Sequence, residues 1–193
     1  SLNLVGTCAV DCCSEATNFF GFLQKLFTFF SASTHRWEVM CESLKNPSDD
    51  KKKPHLVVKS LSQTRWSRRA DATKALACNY SRIYDALSTL MNDPAQKADT
   101  CAEARSLISK MDRIECTFMT LLWDHILQRF NATSLSLQKT SIELGYAVKL
   151  LQSLCDFVAD LRTSPTAFND FEEQAKLAAV VKSYRTEVTR RKI

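Results

Sequence analysis

The chain has 193 residues, of which 26 are lysine or arginine and 21 are aspartate or glutamate, so its formal net charge is +5. It contains 3 glycines and 4 prolines, whereas an average chain of this length would have roughly 23 of the two together. This scarcity argues against all-β sandwiches and barrels, which need frequent turns. It also argues against phosphate-binding loops, because Gly6, Gly21 and Gly145 are too far apart to form a glycine-rich motif. The composition therefore predicts an all-α fold.

Apolar residues at three- and four-residue intervals predict helices along most of the chain. The predicted helices, in chain order, cover residues 2–13, 15–30, 34–44, 69–91, 101–111, 114–137, 142–162 and 168–189. A capping pattern at Asp93–Gln96 predicts that a helix begins there. Strand content is at most a scrap near Val57 and Val58. The clearest helical pattern is in 142–162, where the recurring residues are Leu144, Val148, Leu151, Cys155, Val158 and Leu161.

The predicted helix at 15–30 is rich in phenylalanine. Six of the 11 phenylalanines lie between residues 19 and 30. Because this helix is apolar nearly all round, we expect it to be buried on more than one face, in a core or an interface. A membrane span would need about 20 predominantly apolar residues, and Gln24 and Lys25 interrupt this stretch. We therefore predict no membrane association.

The chain contains 8 cysteines, which is too low a density to indicate a disulfide scaffold. Cys8 and Cys12 could share a helix face, but no histidine lies nearby to complete a metal site, and no Cys-x-x-Cys pair occurs. We expect reduced, buried cysteines. This favours the nucleus or the cytosol.

Positive charge is concentrated in two short segments. Residues 59–74 and residues 182–193 each have a net charge of +4, so the rest of the chain is slightly acidic. Such clustering of lysine and arginine indicates a polyanionic partner. In the first segment, Trp66 lies among Arg65, Arg68 and Arg69. An indole can stack on a base while guanidinium groups bind phosphate. Alternatively, the tryptophan anchors a helix start to the core and the arginines face solvent.

Four blocks of sequence are similar to a known family. They are Ser1–Val5, Phe29–Trp37, Leu61–Ala72 and Trp123–Asn131. With these blocks, nearly the whole chain resembles the hAT-type transposase-like region of the zinc finger MYM-type protein 1-like family, a group of transposon-derived vertebrate proteins. The most specific parts are Ser31–Trp37 and Thr64–Ser67.

The resemblance implies a parent protein with a ribonuclease-H-like core that a large helical insertion domain interrupts. In hAT transposases the core contains two aspartates and one glutamate that bind divalent metal. The family's Leu-Asn-Leu block, matched by Leu2–Leu4, follows a Cys-x-x-His motif and the second of these aspartates. The catalytic carboxylates would then lie before Ser1 and beyond Ile193. We therefore expect the chain to be part of a longer protein, with no catalytic residue, metal or cofactor of its own.

The resemblance also implies a division of the chain. Residues 1–46 would be helices leading out of the core, 47–65 an exposed loop, and 66–193 the insertion domain, an irregular helical bundle. The family's Arg-Trp pair matches Arg65 and Trp66. In hAT transposases this tryptophan stacks on a base flipped out beside the cleavage site. Arg68 and Arg69 match no assigned family position.

The predicted function is DNA binding within a transposase-derived nuclear protein, with the cytosol as the alternative location. The predicted DNA contacts are Arg65, Trp66, Arg68 and Arg69. The alternative function is a helical protein–protein interaction or oligomerisation module without nucleic-acid binding. In that case the phenylalanine-rich helix would bind a partner or a second copy of the chain.

Overall fold

A computed structural model describes residues 13–45, 56–61, 66–164 and 166–179. The described residues form eight α-helices and no strand, which confirms the all-α prediction. The helices are α1 Ser14–Ser31, α2 Thr34–Leu44, α3 Trp66–Cys78, α4 Tyr80–Asn92, α5 Ala98–Met111, α6 Ile114–Leu137, α7 Leu144–Thr163 and α8 Ala167–Ala178. The predicted helix at 2–13 and the basic segment 182–193 lie outside the described residues.

Helix α1 lies at the centre of the hydrophobic core. Its buried residues lie on several faces, as its phenylalanine-rich sequence predicts, and it packs against α2, α5 and α6. Phe19 and Phe20 meet edge to face with ring centroids 5.3 Å apart, and so do Phe29 and Phe30 at the same distance. Edge-to-face contacts bring the positive edge of one ring to the negative face of another, which stabilises the core beyond simple burial.

The remaining helices form two groups around this core. In the first group, α2 packs on α4, and α4 packs on α5. The longest helix, α6, contacts α3, α7 and α8 as well as α1 and α5. Because α6 extends past the core, α7 and α8 are attached to the rest of the chain mainly through α6.

The predicted helix at 69–91 is wrong in one respect, because the chain forms two helices there. Asn79 separates α3 from α4 with φ −128° and ψ 25°. Its side-chain amide donates hydrogen bonds to the carbonyl oxygens of Ala75 and Leu56, both at 3.1 Å. A short polar side chain that bonds the backbone in this way competes with helical hydrogen bonding, so the helix breaks at this residue.

The predicted helix start at Asp93–Gln96 is also wrong. Asp93 accepts hydrogen bonds from the Ala95 backbone N–H and the Gln96 side chain, both at 2.9 Å. These bonds close a turn, and α5 begins only at Ala98. At the other end of the chain, α8 stops at Ala178 because Ala179 is extended, with ψ 137°; the rest of the predicted helix at 168–189 lies outside the described residues.

None of the eight described helices combines the length and the apolar character that crossing a bilayer requires.

Candidate nucleic-acid interface

The predicted DNA contacts lie where α3 begins. Arg65 is outside the described residues, and so is the side chain of Trp66, whose backbone is the first residue of α3. Arg68 and Arg69 belong to the first turn of α3, and their side chains have different surroundings.

Arg68 is exposed, whereas Arg69 is partly buried. The guanidinium carbon of Arg69 lies 5.0 Å from the centroid of the Phe20 ring. The Trp123 ring contacts Phe20 edge to face at 5.1 Å. A guanidinium over an aromatic face is attracted by the negative charge of the ring face. Arg69 therefore joins α3 to α1, and Arg68 remains on the surface where a phosphate can reach it.

Helix α6 fixes the same turn of α3 from another side. The Gln128 amide donates to the carbonyl oxygen of Ala70 at 3.2 Å and to Asp124 Oδ1 at 3.0 Å. Burial raises the pKa of the Asp124 carboxyl, while this hydrogen bond and the charge of Lys74 oppose the rise. The hydrogen bond to Ala70 attaches the start of α3 to α6.

Residues 56–61, which belong to the predicted exposed loop 47–65, pack against the helices. Val58 is only 1% exposed. The Leu61 backbone N–H donates to Gln24 Oε1 at 2.9 Å, and the Leu56 carbonyl accepts from Asn79. Gln24, which interrupts the apolar run of α1, thus binds the chain that leads into α3.

The four cations of the basic segment 59–74 that the structure describes differ in exposure and in contacts. Lys59 forms an ion pair with Asp71, with Nζ and Oδ2 2.9 Å apart. Arg69 lies over Phe20, whereas Arg68 and Lys74 are exposed. Composition counts all of these cations equally. The structure shows that only Arg68 and Lys74 of α3 are exposed to a ligand.

The block Phe29–Trp37 contributes to packing within the described chain. Arg36 donates to the carbonyl oxygen of Phe29 at 3.1 Å, and its guanidinium carbon is 4.8 Å from the Phe29 ring centroid. Arg36 also lies 3.8 Å from Glu103 of α5. These contacts fix the tight connection between α1 and α2.

The two histidines that the structure describes, His35 and His125, have unrelated surroundings. His125 lies between the rings of Phe157 and Phe171, with centroid distances of 5.2 and 5.5 Å. His35 lies 3.7 Å from Asp93 at the surface. His55 is outside the described residues. Within the described ranges, no three histidine, cysteine, aspartate or glutamate side chains are grouped so that they could hold a metal ion.

The structure also contains a groove of about 740 Å³ that the sequence did not reveal. Its lining includes Phe19 and Phe22 from α1, Phe118 from α6, and the exposed Lys110 and Arg113. The walls come from α1, α5, α6 and α8. No local sequence pattern could have indicated the groove, because its lining residues are scattered over more than 150 positions.

Comparisons with protein-family models, with curated proteins and with solved structures found no match to this chain.

Proposed function

We propose that the chain binds DNA through the start of α3, as the helical part of a transposase-derived nuclear protein. The observation that supports this most is the position of Arg68, which is exposed on the first turn of a helix that contacts α1 and α6. Trp66 and Arg65 lie two and three positions before it in the sequence. The resemblance to the hAT family supplies the specific expectation that Trp66 stacks on an unpaired base.

The local electrostatics favour a phosphate at this end of α3. The first backbone N–H groups of a helix lack partners within the helix and carry partial positive charge, so they attract anions. Arg68 adds a full positive charge that solvent can reach. Arg69 has a supporting part, because its guanidinium packs on Phe20 and holds the turn in place.

In this proposal the described chain contributes binding and no catalysis. Two-metal phosphoryl transfer needs carboxylates that converge on ions about 4 Å apart. By the resemblance, these carboxylates and their divalent metal belong to the ribonuclease-H-like core of the parent protein. The proposed role of the helical part is to hold DNA beside that core.

Titration of the purified chain with labelled hairpin or mismatched duplex DNA tests the proposal. Trp66→Ala should weaken binding about 5- to 100-fold, the usual loss for one stacked base. Arg68→Ala should weaken binding and reduce the slope of log affinity against log salt by about 1.

Arg105→Ala is the matched control for Arg68→Ala, because Arg105 is an exposed arginine of α5 far from this turn in sequence. It should leave the affinity and the salt slope nearly unchanged. If the wild-type chain shows no salt-dependent binding, or if all three variants bind equally, the proposed site is wrong.

The alternative, an interaction module based on the phenylalanine-rich helix, has less support. Phe19, Phe20 and Phe22 of α1 are at most 5% exposed, and Phe29 and Phe30 are more deeply buried. These rings pack within the chain's own core, so little of their surface is left for a partner while the core is intact.

A further inference from the structure

Helix α7 exposes an apolar stripe to solvent. Its most buried large residue, Leu154, is 4% exposed and lies on the same side as Ser153 and Phe157, which contact α6. A second set of apolar residues lies about a quarter of a turn away from that face. These residues form what we call the α7 stripe: Leu144 (82% exposed), Val148 (58%), Leu151 (41%), Cys155 (exposed) and Val158 (42%).

The spacing of the α7 stripe is that of a coiled-coil seam. Its residues alternate at intervals of four and three, which is the heptad repeat of positions a and d. Arg162 occupies the next position of the same repeat. Monomeric soluble proteins rarely leave a regular apolar stripe in water, so such a stripe marks a surface for association.

We propose that α7 pairs antiparallel with α7 of a second copy of this chain. In one register, Val148 lies opposite Val158, Leu151 opposite Cys155, and Leu144 opposite Arg162, each pair occurring twice about a two-fold axis. Every layer then joins an a position to a d position, as antiparallel coiled coils require. An isologous contact of this kind is the commonest way in which a chain forms a symmetric dimer.

Charge at the helix ends favours the antiparallel orientation. Glu143 is the N-cap residue of α7, and Arg162 is the basic residue of its last turn; both are exposed. In the antiparallel pair, Arg162 of one copy approaches Glu143 of the other. A parallel pair would instead bring the two Arg162 side chains together at the seam, where like charges repel.

The residues beside the seam allow close approach of the two helices. On the side towards α6 they are Ala147, Leu154 and Leu161, and on the other side Gly145, Gln152 and Ala159. None of them is charged. In the antiparallel register the small Cys155 lies opposite the larger Leu151, a combination of sizes that fills the seam evenly.

The proposed interface is small. A helix of 20 residues is about 30 Å long, and one pair of such helices buries less surface than a standard stable interface. We therefore expect a dissociation constant on the order of micromolar rather than nanomolar.

Sedimentation velocity of the whole chain from about 1 to 200 µM tests the pairing, since association of this strength is governed by concentration. The wild-type chain should shift from monomer to dimer over this range. Leu151→Asp should raise the dimer dissociation constant at least tenfold. Lys149→Asp, which introduces the same side chain on the polar face of α7, should leave it within about twofold.

Far-UV circular dichroism and thermal unfolding of the Leu151→Asp variant separate loss of pairing from loss of fold. Both should match the wild type, because Leu151 is already 41% exposed in the single chain. A wild-type chain that stays monomeric throughout the range would overturn the proposal and leave the stripe to a different partner. Equal association by the Leu151→Asp and wild-type chains would also overturn it.

Charge reversal tests the orientation. Arg162→Glu alone or Glu143→Arg alone should weaken the dimer by up to about fivefold per ion pair, the usual range for an exposed pair. The double variant should recover most of the loss, because it restores opposite charges across the seam. If the double variant associates no better than the single ones, the antiparallel register is wrong.

Discussion

Arg36 and Arg69 each place a guanidinium over a phenylalanine ring, at 4.8 Å from Phe29 and 5.0 Å from Phe20. The planar, weakly hydrated guanidinium loses less by leaving water than an ammonium group does, so it suits such contacts. From the sequence alone, every arginine in a basic segment is a candidate phosphate ligand. Burial separates them, because Arg69 packs on the core and Arg68 remains exposed.

Tyr80 and Cys116 are the clearest titratable groups that burial changes. The Tyr80 hydroxyl donates to the carbonyl oxygen of Met111 at 2.7 Å, and burial raises the pKa of this phenol. Burial also raises the pKa of the Cys116 thiol to about 11. Removing a group from water disfavours its charged form, so both groups keep their protons to a higher pH in the folded chain than they would in water.

The raised pKa of the Cys116 thiol makes one contribution to the pH dependence of stability. In the unfolded chain the thiol loses its proton near pH 9, while the folded chain retains it to about pH 11. Below pH 9 the thiol is protonated in both states and the free energy of unfolding keeps its full value. As the pH rises from 9 towards 11, that free energy falls, because the unfolded chain releases the proton more readily than the folded chain. Urea unfolding of the wild type and of Cys116→Ala at a series of pH values should show a steeper alkaline decline in the wild type. Parallel declines would contradict this prediction.

The attachment of α7 and α8 differs from that of the other helices. Each of them has an aromatic contact with α6. Phe118 of α6 stacks on Phe168 of α8 at 6.3 Å, and His125 of α6 contacts Phe157 of α7. Arg129 of α6 donates to the Ser153 hydroxyl at 2.7 Å. These contacts cover one face of each helix, whereas α1 and α4 are enclosed by several neighbours.

Amide hydrogen exchange should reflect this difference between helices. At chain concentrations near 1 µM, where the proposed dimer dissociates, backbone amides of α7 should exchange much faster than those of α4. Local opening requires little free energy where few apolar contacts are lost. Mass spectrometry of peptides from the two helices measures the rates. Equal protection of α7 and α4 under these conditions would contradict the prediction.

Among the described residues, helices α1 to α6 share one contiguous core, whose buried members range from Ala16 in α1 to Leu127 in α6. The first two helices, predicted as a separate segment within 1–46, pack into the same core as α3 to α6. The described part of this segment therefore shares its hydrophobic interior with the helices that follow it.

A pair of leucine substitutions tests where the stability of the molecule resides. Leu87→Ala in α4 removes a side chain that is fully buried and should lower the free energy of unfolding by about 2–5 kcal/mol. Leu135→Ala in α6 removes one that is 57% exposed and should change it by at most about 0.5 kcal/mol. Urea denaturation measures both. Similar losses for the two variants would mean that the core lies elsewhere.

The sequence by itself determined the helices and the burial of α1. The helices at 34–44 and 114–137 have the predicted bounds, and the phenylalanines of α1 enter the core as expected. These features could be predicted because helical periodicity and the apolar character of a segment are properties of neighbouring residues.

Only the tertiary structure decided where the long predicted helix breaks and which side chains face solvent. The break at Asn79 depends on a hydrogen bond to Leu56, which is 23 positions away. Arg69 is withdrawn from the surface because Phe20 lies beneath it, and the most regular apolar stripe of the sequence, on α7, is left exposed. A local pattern specifies that a face is apolar, but the neighbour that covers it comes from distant parts of the chain or from another molecule.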